Sequence, residues 1–217
     1  IQGEGGVYPG NREFFIALMD ILREHHVPIM IDEIQTFGRT TEPFAFQHFG
    51  LDEYVDVVTV GKLLQVCATL FSEPLNPSGP LLSQTFTGST SAIFAARAIL
   101  RELLSGDYFG EAGKILKFGN YFISRLTAIQ QRHPEAIDGP FGFGGMIAFT
   151  PFGGNPQKAA QLVRALFEAG VLCFTGGNQP ARIRFLVPYG AVRYEDIDAV
   201  TVIVEQTISR IVSLRGG

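Results

Sequence analysis

Pro28-Ile29-Met30-Ile31-Asp32-Glu33 is a short unbroken apolar run that ends in two acids. Such runs suit a strand buried on both faces of a parallel sheet, where helices cover both sides. The preceding residues agree. From Asn11 to His26, the apolar Phe14, Phe15, Leu18, Ile21 and Leu22 recur at helical spacing, and Asn11 is placed as the N-cap. Helix, short loop and buried strand make half of an α/β unit. Val55 to Val60 is a second run of the same kind, ending at Gly61-Lys62. Residues 74–90 are rich in Pro, Ser, Gly and Thr and read as a loop. Ser91 to Leu104 reads as a helix, with Gly106 as its stop.

From about residue 105 the pattern changes. Tyr108 to His133 reads as one long helix, followed by Gly-punctuated strands over Phe141–Phe152. Gln157–Ala169 is a helix closed by Gly170, and Val171–Phe174 and Arg182–Val187 read as strands. Tyr194–Val212 is a last helix with Glu195 and Asp196 in its first turn, where acids favour the helix dipole. This order predicts an α+β layer after a boundary near residue 104.

The 217 residues carry 17 Lys+Arg against 21 Asp+Glu, a net charge of −4, and 46% of them are apolar. A disordered or nucleic-acid-coating chain needs low hydrophobicity and high net charge, so both classes are excluded. With a pI near 5.6 there is no basic footprint for DNA, RNA or an anionic membrane. A mean hydropathy of +0.20 is high and points to surfaces buried against something else. No stretch reaches about 18 uninterrupted apolar residues, so no transmembrane helix is predicted. Cys67 and Cys173 are too few and too far apart for a disulfide framework or a metal knuckle, and a reducing, cytoplasmic compartment is expected. Ile1-Gln2-Gly3-Glu4 has no signal-peptide features and reads like the middle of a protein.

Ligands of open α/β sheets bind at the carboxyl ends of strands. Asp32 and Lys62 each stand at such an end, so a carboxylate and an amine would face one crevice. Taken singly, Asp32 reads as an N-cap or loop acid and Lys62 as a solvated loop lysine, and for a lone Asp or Lys that reading normally wins. The flanks alter that balance. Ile31-Asp32-Glu33-Ile34 sets two acids against apolar residues, and Lys62 is the sole lysine in residues 1–113, inside the run Val58-Thr59-Val60-Gly61-Lys62-Leu63-Leu64. A desolvated lysine loses basicity and becomes a nucleophile toward carbonyls. His25-His26 point roughly 100° apart on a helix and do not share a metal, so no metal site is expected. Gly142-Phe143-Gly144-Gly145 lacks the Lys-Ser/Thr and helix start of a phosphate loop. Cys67 reads as a small buried apolar residue.

Asp32-Glu33-Ile34-Gln35-Thr36-Phe37-Gly38-Arg39-Thr40 resembles the D-E-[VI]-Q-T-G-F-G-R-T signature of class III aminotransferases, without the usual Gly between Thr36 and Phe37. Four more segments resemble that family in order: Gln2-Gly3-Glu4-Gly5-Gly6, Val58-Thr59-Val60-Gly61-Lys62, Thr85-Phe86-Thr87-Gly88, and Ile183-Arg184-Phe185-Leu186-Val187-Pro188. Lys62 to Cys67 is similar to the K-x-x-Q-V-C run of lysine 6-aminotransferases within the class. Gly88-Ser89-Thr90-Ser91 stands where G-G-N-P is usual.

The resemblance implies fold type I and pyridoxal 5′-phosphate (PLP), with residues 1–104 as the second part of the large α/β cofactor domain, built on a parallel-rich sheet. Residues 105–217 would be the C-terminal α+β small domain. It implies that Lys62 forms the aldimine with the cofactor and shuttles the proton, and that Asp32 pairs with the ring nitrogen. Ile34 packs under the ring and Gln35 lies near its phenolic oxygen. Thr85 donates to the phosphate. Arg184 grips the substrate carboxylate, and Glu4 pairs with Arg184 when a substrate lacks that group. The implied reaction moves an amino group from an amino acid or ω-amine donor to a 2-oxo acid, 2-oxoglutarate foremost, in a homodimer with shared active sites. The matched region corresponds to the second half of a family member, so an incomplete chain is expected. A PLP mutase, racemase or decarboxylase uses the same Asp and Lys, and a non-catalytic scaffold fragment is the alternative from another class.

Overall fold

A computed structural model of the chain describes residues 1–79, 81 and 88–213. The chain divides into two compact units, an inner one of Gly10–Glu111 and a terminal one joining Ile1–Pro9 to Ala112–Gly217.

The inner unit opens with helix α1 (Arg12–Glu24), whose first turn is capped by Asn11 Oδ1 accepting from Phe14 N at 2.9 Å. Its apolar stripe packs Met19 against Ile29 and Leu51. Strand β1 (Met30–Asp32) runs parallel to β2 (Val57–Val60), with Met30 opposite Val57 and Asp32 opposite Thr59. Strand β3 (Ala68–Phe71) returns antiparallel along β2, so the three-stranded sheet is mixed. Burial follows the period of two. Val58 and Val60 are buried, whereas Met30 is 63% exposed, so β1 is not covered on both faces as the apolar run predicts. Between these strands lies the one-turn helix α2 (Ala45–His48), and α3 (Thr90–Ser105) closes the unit ahead of Gly106.

In the terminal unit, α4 (Lys114–Arg132) precedes β4 (Ile137–Phe143) and β5 (Met146–Pro151). Then come α5 (Pro156–Glu168), β6 (Phe174–Gly176), β7 (Arg182–Leu186) and α6 (Tyr194–Ser213). Helix α4 starts six residues later than its periodicity predicts, because Gly110 holds a left-handed φ of +78° and Gly113 occupies the N-cap. Asn155 caps α5 through Lys158 N, with Pro156 at the first helical position.

The four strands form an antiparallel sheet in the order β4-β5-β7-β6. One face meets α4, α5 and α6 through Ile147, Phe149, Ile183 and Phe185, packed on Phe122, Leu126, Leu162, Leu166, Val204 and Ile208. Side chains of this size contribute roughly 1.5–3 kcal/mol each when fully buried. The opposite face carries Met146 and Ala148 of β5, which bury Val7 of the N-terminal segment. Arg184 pairs in register with Ala148, so Arg182 and Arg184 stand on that same face. The periodicity of β7 thus points two arginines toward the segment that contains Glu4.

Candidate active site

One cluster of candidate residues, in the inner unit, is built by the parallel pair. Because Asp32 lies opposite Thr59, the carboxyl ends of β1 and β2 are level, and Glu33 N donates to Thr59 O at 2.9 Å just beyond. Lys62 follows Thr59 by three residues. The chain turns sharply there: Leu64 N donates to Gly61 O at 3.1 Å and Gln65 N to Lys62 O at 2.9 Å, with Gln65 Nε2 on the same carbonyl at 3.0 Å. Lys62 sits at φ +45° and Gln65 at +63°. A left-handed conformation costs a non-glycine residue about 1–2 kcal/mol, and such strain gathers at functional sites.

Ile34 ties the two strand ends together. A Cβ at Gly61 would lie 3.3 Å from Ile34 Cγ2 and 3.4 Å from Cys67 Sγ, so the backbone before Lys62 packs closely on Ile34 and a larger residue would have to displace its neighbours slightly. Asp32 Oδ1 accepts from Ile34 N at 2.9 Å, which aims the carboxylate and leaves further acceptor capacity on it. Lys62 itself is exposed in this chain, while Gly61 and Leu64 are buried, so the apolar flanks pack inward and the lysine turns out. Cys67 is also exposed, against the expectation of a buried thiol.

The loop after β1 is locked by a residue to which sequence reasoning assigned no role. Glu33 is 1% exposed. Its Oε2 accepts from Ala45 N at 3.0 Å and its Oε1 from Phe46 N at 3.0 Å, at the start of α2, and the Thr36 hydroxyl also donates to it. Buried acceptors at a helix start satisfy orphan N–H groups, and an acid there gains from the helix dipole. The signal was in the sequence, as a pair of acids set between Ile31 and Ile34. Arg39 is buried as well, and Nη1 donates to Gln35 O at 2.7 Å. Burial pulls its pKa below the usual arginine value.

A separate cluster of candidate residues is in the terminal unit. Arg184 Nη2 donates to Glu4 Oε2 at 2.6 Å, and its Nε donates to Thr175 O at 3.0 Å. The arginine side chain is 7% exposed and the glutamate 74%. Glu4 is held by its backbone, since Gly177 N donates to Glu4 O at 2.8 Å. Asp32, Ile34, Gln35 and Lys62 therefore belong to the inner unit, and Glu4 and Arg184 form a pair in the terminal unit. Thr85 lies outside the described residues. Among the described residues no group of three or more His, Cys, Asp or Glu is placed to hold a metal, and no helix is long and apolar enough to cross a membrane.

Comparison with known proteins identifies the family of the chain. The family model for Aminotransferase class-III matches residues 1–208. The acetylornithine aminotransferase of Gloeobacter violaceus is 30% identical over 222 residues, covering 97% of this chain and 52% of that protein. The mitochondrial 4-aminobutyrate aminotransferase of Sus scrofa is 29% identical over 187 residues, 85% of this chain and 36% of that protein. The structure of lysine aminotransferase from M. tuberculosis superposes with a TM-score of 0.83 at 26% identity, covering 97% of this chain and 48% of that one. The chain spans about half the length of the curated relatives it matches. The chain belongs to the class III aminotransferases, a family of PLP-dependent enzymes of fold type I.

Proposed function

We propose that this chain serves amino-group transfer with PLP, from an amino acid or ω-amine donor to a 2-oxo acid, foremost 2-oxoglutarate. The observation that carries this reading is that Asp32 ends β1 level with Thr59 of the parallel strand β2, three residues before Lys62. The residues present fit the cofactor. A carboxylate with spare acceptor capacity suits a protonated ring nitrogen, a primary amine suits a carbonyl group, and the glycine contact at Ile34 keeps the backbone close beneath an apolar side chain. Bound PLP supplies an electron sink for the substrate carbon.

Asp32 holds the proton on the ring nitrogen in this reading, and Ile34 and Gln35 line the same strand end. Lys62 is the residue that would hold the cofactor through its amine, and the same amine would carry the proton at the substrate Cα. Arg184 binds a substrate carboxylate with its guanidinium fork. Because Glu4 covers that fork, the carboxylate engages it only when the exposed Glu4 side chain moves off. With Glu4 in place, the position suits a donor that bears no charge there. The relatives are named for acetylornithine, 4-aminobutyrate and lysine, all with an amine remote from a carboxylate, which supports an ω-amine donor. We assign the residues up to about 104 to the large domain and those beyond to the small domain.

The working form we propose is a cytoplasmic homodimer. Exposed Phe14, Phe94 and Leu104 supply apolar surface for assembly, and the two free thiols suit a reducing compartment. The test is glutamate formation by the PLP-loaded protein from 2-oxoglutarate and a panel of amines. Glutamate from the wild type and none from Lys62→Ala is expected. Release of CO2 or racemised substrate without glutamate overturns the reading.

A further inference from the structure

Arg182 stands two residues before Arg184 on the same face of β7 and makes no contact that the reading above uses. It is 6% exposed. Its guanidinium carbon lies 4.1 Å from the Tyr8 ring centroid and 3.7 Å from that of Phe141, so the plane is sandwiched between two aromatic rings. Its Nη1 donates to Gly6 O at 2.8 Å and to Val7 O at 3.4 Å. Its Nε is buried with no hydrogen-bond partner among the described residues. A buried cation is costly unless it is hydrogen-bonded, and Arg182 meets that need with the backbone carbonyls of Gly6 and Val7.

That backbone is the loop carrying Glu4. Gln2 N donates to Tyr8 O at 2.9 Å, Val7 N to Gln2 O at 3.0 Å and Gly6 N to Gly3 O at 3.1 Å, so residues 2–8 close on themselves. Gly6 takes a φ of +114°, and a Cβ there would sit 3.1 Å from Arg182 Cδ. The loop is thus shaped around the Arg182 side chain, and Glu4 projects from it onto Arg184.

We propose that Arg182 is a positioning residue. It fixes the Gln2–Tyr8 loop so that Glu4 stays on Arg184, and so sets how readily a substrate carboxylate displaces Glu4. The inference rests on the reading of Arg184 as the carboxylate clamp. A tethered loop holds Glu4 at a high effective concentration beside Arg184, and an untethered one does not.

The test is glutarate binding to the PLP-loaded protein by isothermal titration calorimetry, with no turnover involved. Arg184→Met should abolish binding. Arg182→Met should tighten it by on the order of five-fold, the low end of typical coupling between sites. Glu4→Gln should tighten it too, and the double variant should bind no tighter than the better single variant, because both act through one contact. Arg182→Lys, which keeps a donor but not the flat stack, should fall between wild type and Arg182→Met. If Arg182→Met does not fold, Tyr8→Leu strips one ring while leaving the hydrogen bonds, and should tighten binding in the same direction. Unchanged or weakened glutarate binding in Arg182→Met or Tyr8→Leu, with Arg184→Met abolishing it, overturns this inference alone. Additive effects of Glu4→Gln and Arg182→Met overturn it as well. Binding that survives Arg184→Met overturns the clamp reading and this inference with it.

Discussion

Replacing Glu33 by alanine should unlock the loop that follows β1. The carboxylate is 1% exposed and accepts from Ala45 N, Phe46 N and the Thr36 hydroxyl. A buried donor left without an acceptor costs about 1–3 kcal/mol, so losing the acceptor of two N–H groups and a hydroxyl should cost at least roughly 3 kcal/mol. Glu33→Gln keeps the shape and one carbonyl oxygen but turns an NH2 toward an N–H donor, so it should cost about half as much. The assay is urea unfolding followed by far-UV circular dichroism, read as midpoint and slope. At about 2–4 °C per kcal/mol for a cooperative unit of 150–250 residues, Glu33→Ala should also lower Tm by ~6 °C or more. Since the same loop carries Gln35 and leads from Asp32, PLP affinity should fall in parallel. A change within about ±0.5 kcal/mol, the range of an ordinary surface substitution, would refute the claim that Glu33 locks the loop.

Other consequences are equally direct. Lys62 sits at φ +45°, so Lys62→Gly should be more stable than Lys62→Ala by about 1 kcal/mol in the same urea assay, even though both lack the amine. Maleimide labelling of the folded protein, mapped by mass spectrometry, should mark exposed Cys67 and spare Cys173. Burial pushes the Cys173 thiol from 9.0 up to about 12. A raised folded-state pKa stabilises fully below the unfolded value, so this contribution should fade as pH climbs from about 9 toward 12, and Cys173→Val should flatten that limb of a stability–pH curve. The Arg132 guanidinium, with Nε at 2.5 Å and Nη2 at 2.9 Å, holds Glu205 below its ordinary value of 4.5. A lowered folded-state pKa stabilises above the unfolded value and is lost as pH falls, so acid unfolding should steepen below about pH 4.5 in the wild type and less so in Glu205→Gln.

Much of this was legible because local chemistry and tertiary packing agree. Asn11, Gly106 and Gly170 mark helix ends by capping geometry that depends on a few neighbouring residues. The buried run of β2 and its Gly61-Lys62 end likewise follow from short-range pattern. Strand β3 was missed because Ala68-Thr69-Leu70-Phe71 follows a tight turn and leaves Leu70 and Phe71 exposed, so no inward alternation announces it. Val171–Phe174 reads as extended, yet ladder pairing with β7 begins only at Phe174, since register is set by the partner strand. The exposure of Lys62 and Cys67 depends on what packs over the strand ends, which spacing does not encode. Arg182 was overlooked because one more arginine on a strand says nothing until the period of two places it beside Arg184.

The most direct measurement is trapping of the cofactor. The protein is incubated with PLP, reduced with borohydride, digested and mapped by mass spectrometry. The account predicts a pyridoxyl group on Lys62 Nζ, absent in Lys62→Ala and diminished in Asp32→Asn. A full-length protein that leaves Lys62 unmodified, or carries the group on another lysine, would contradict the assignment of Lys62 and with it the aminotransferase chemistry proposed for this chain.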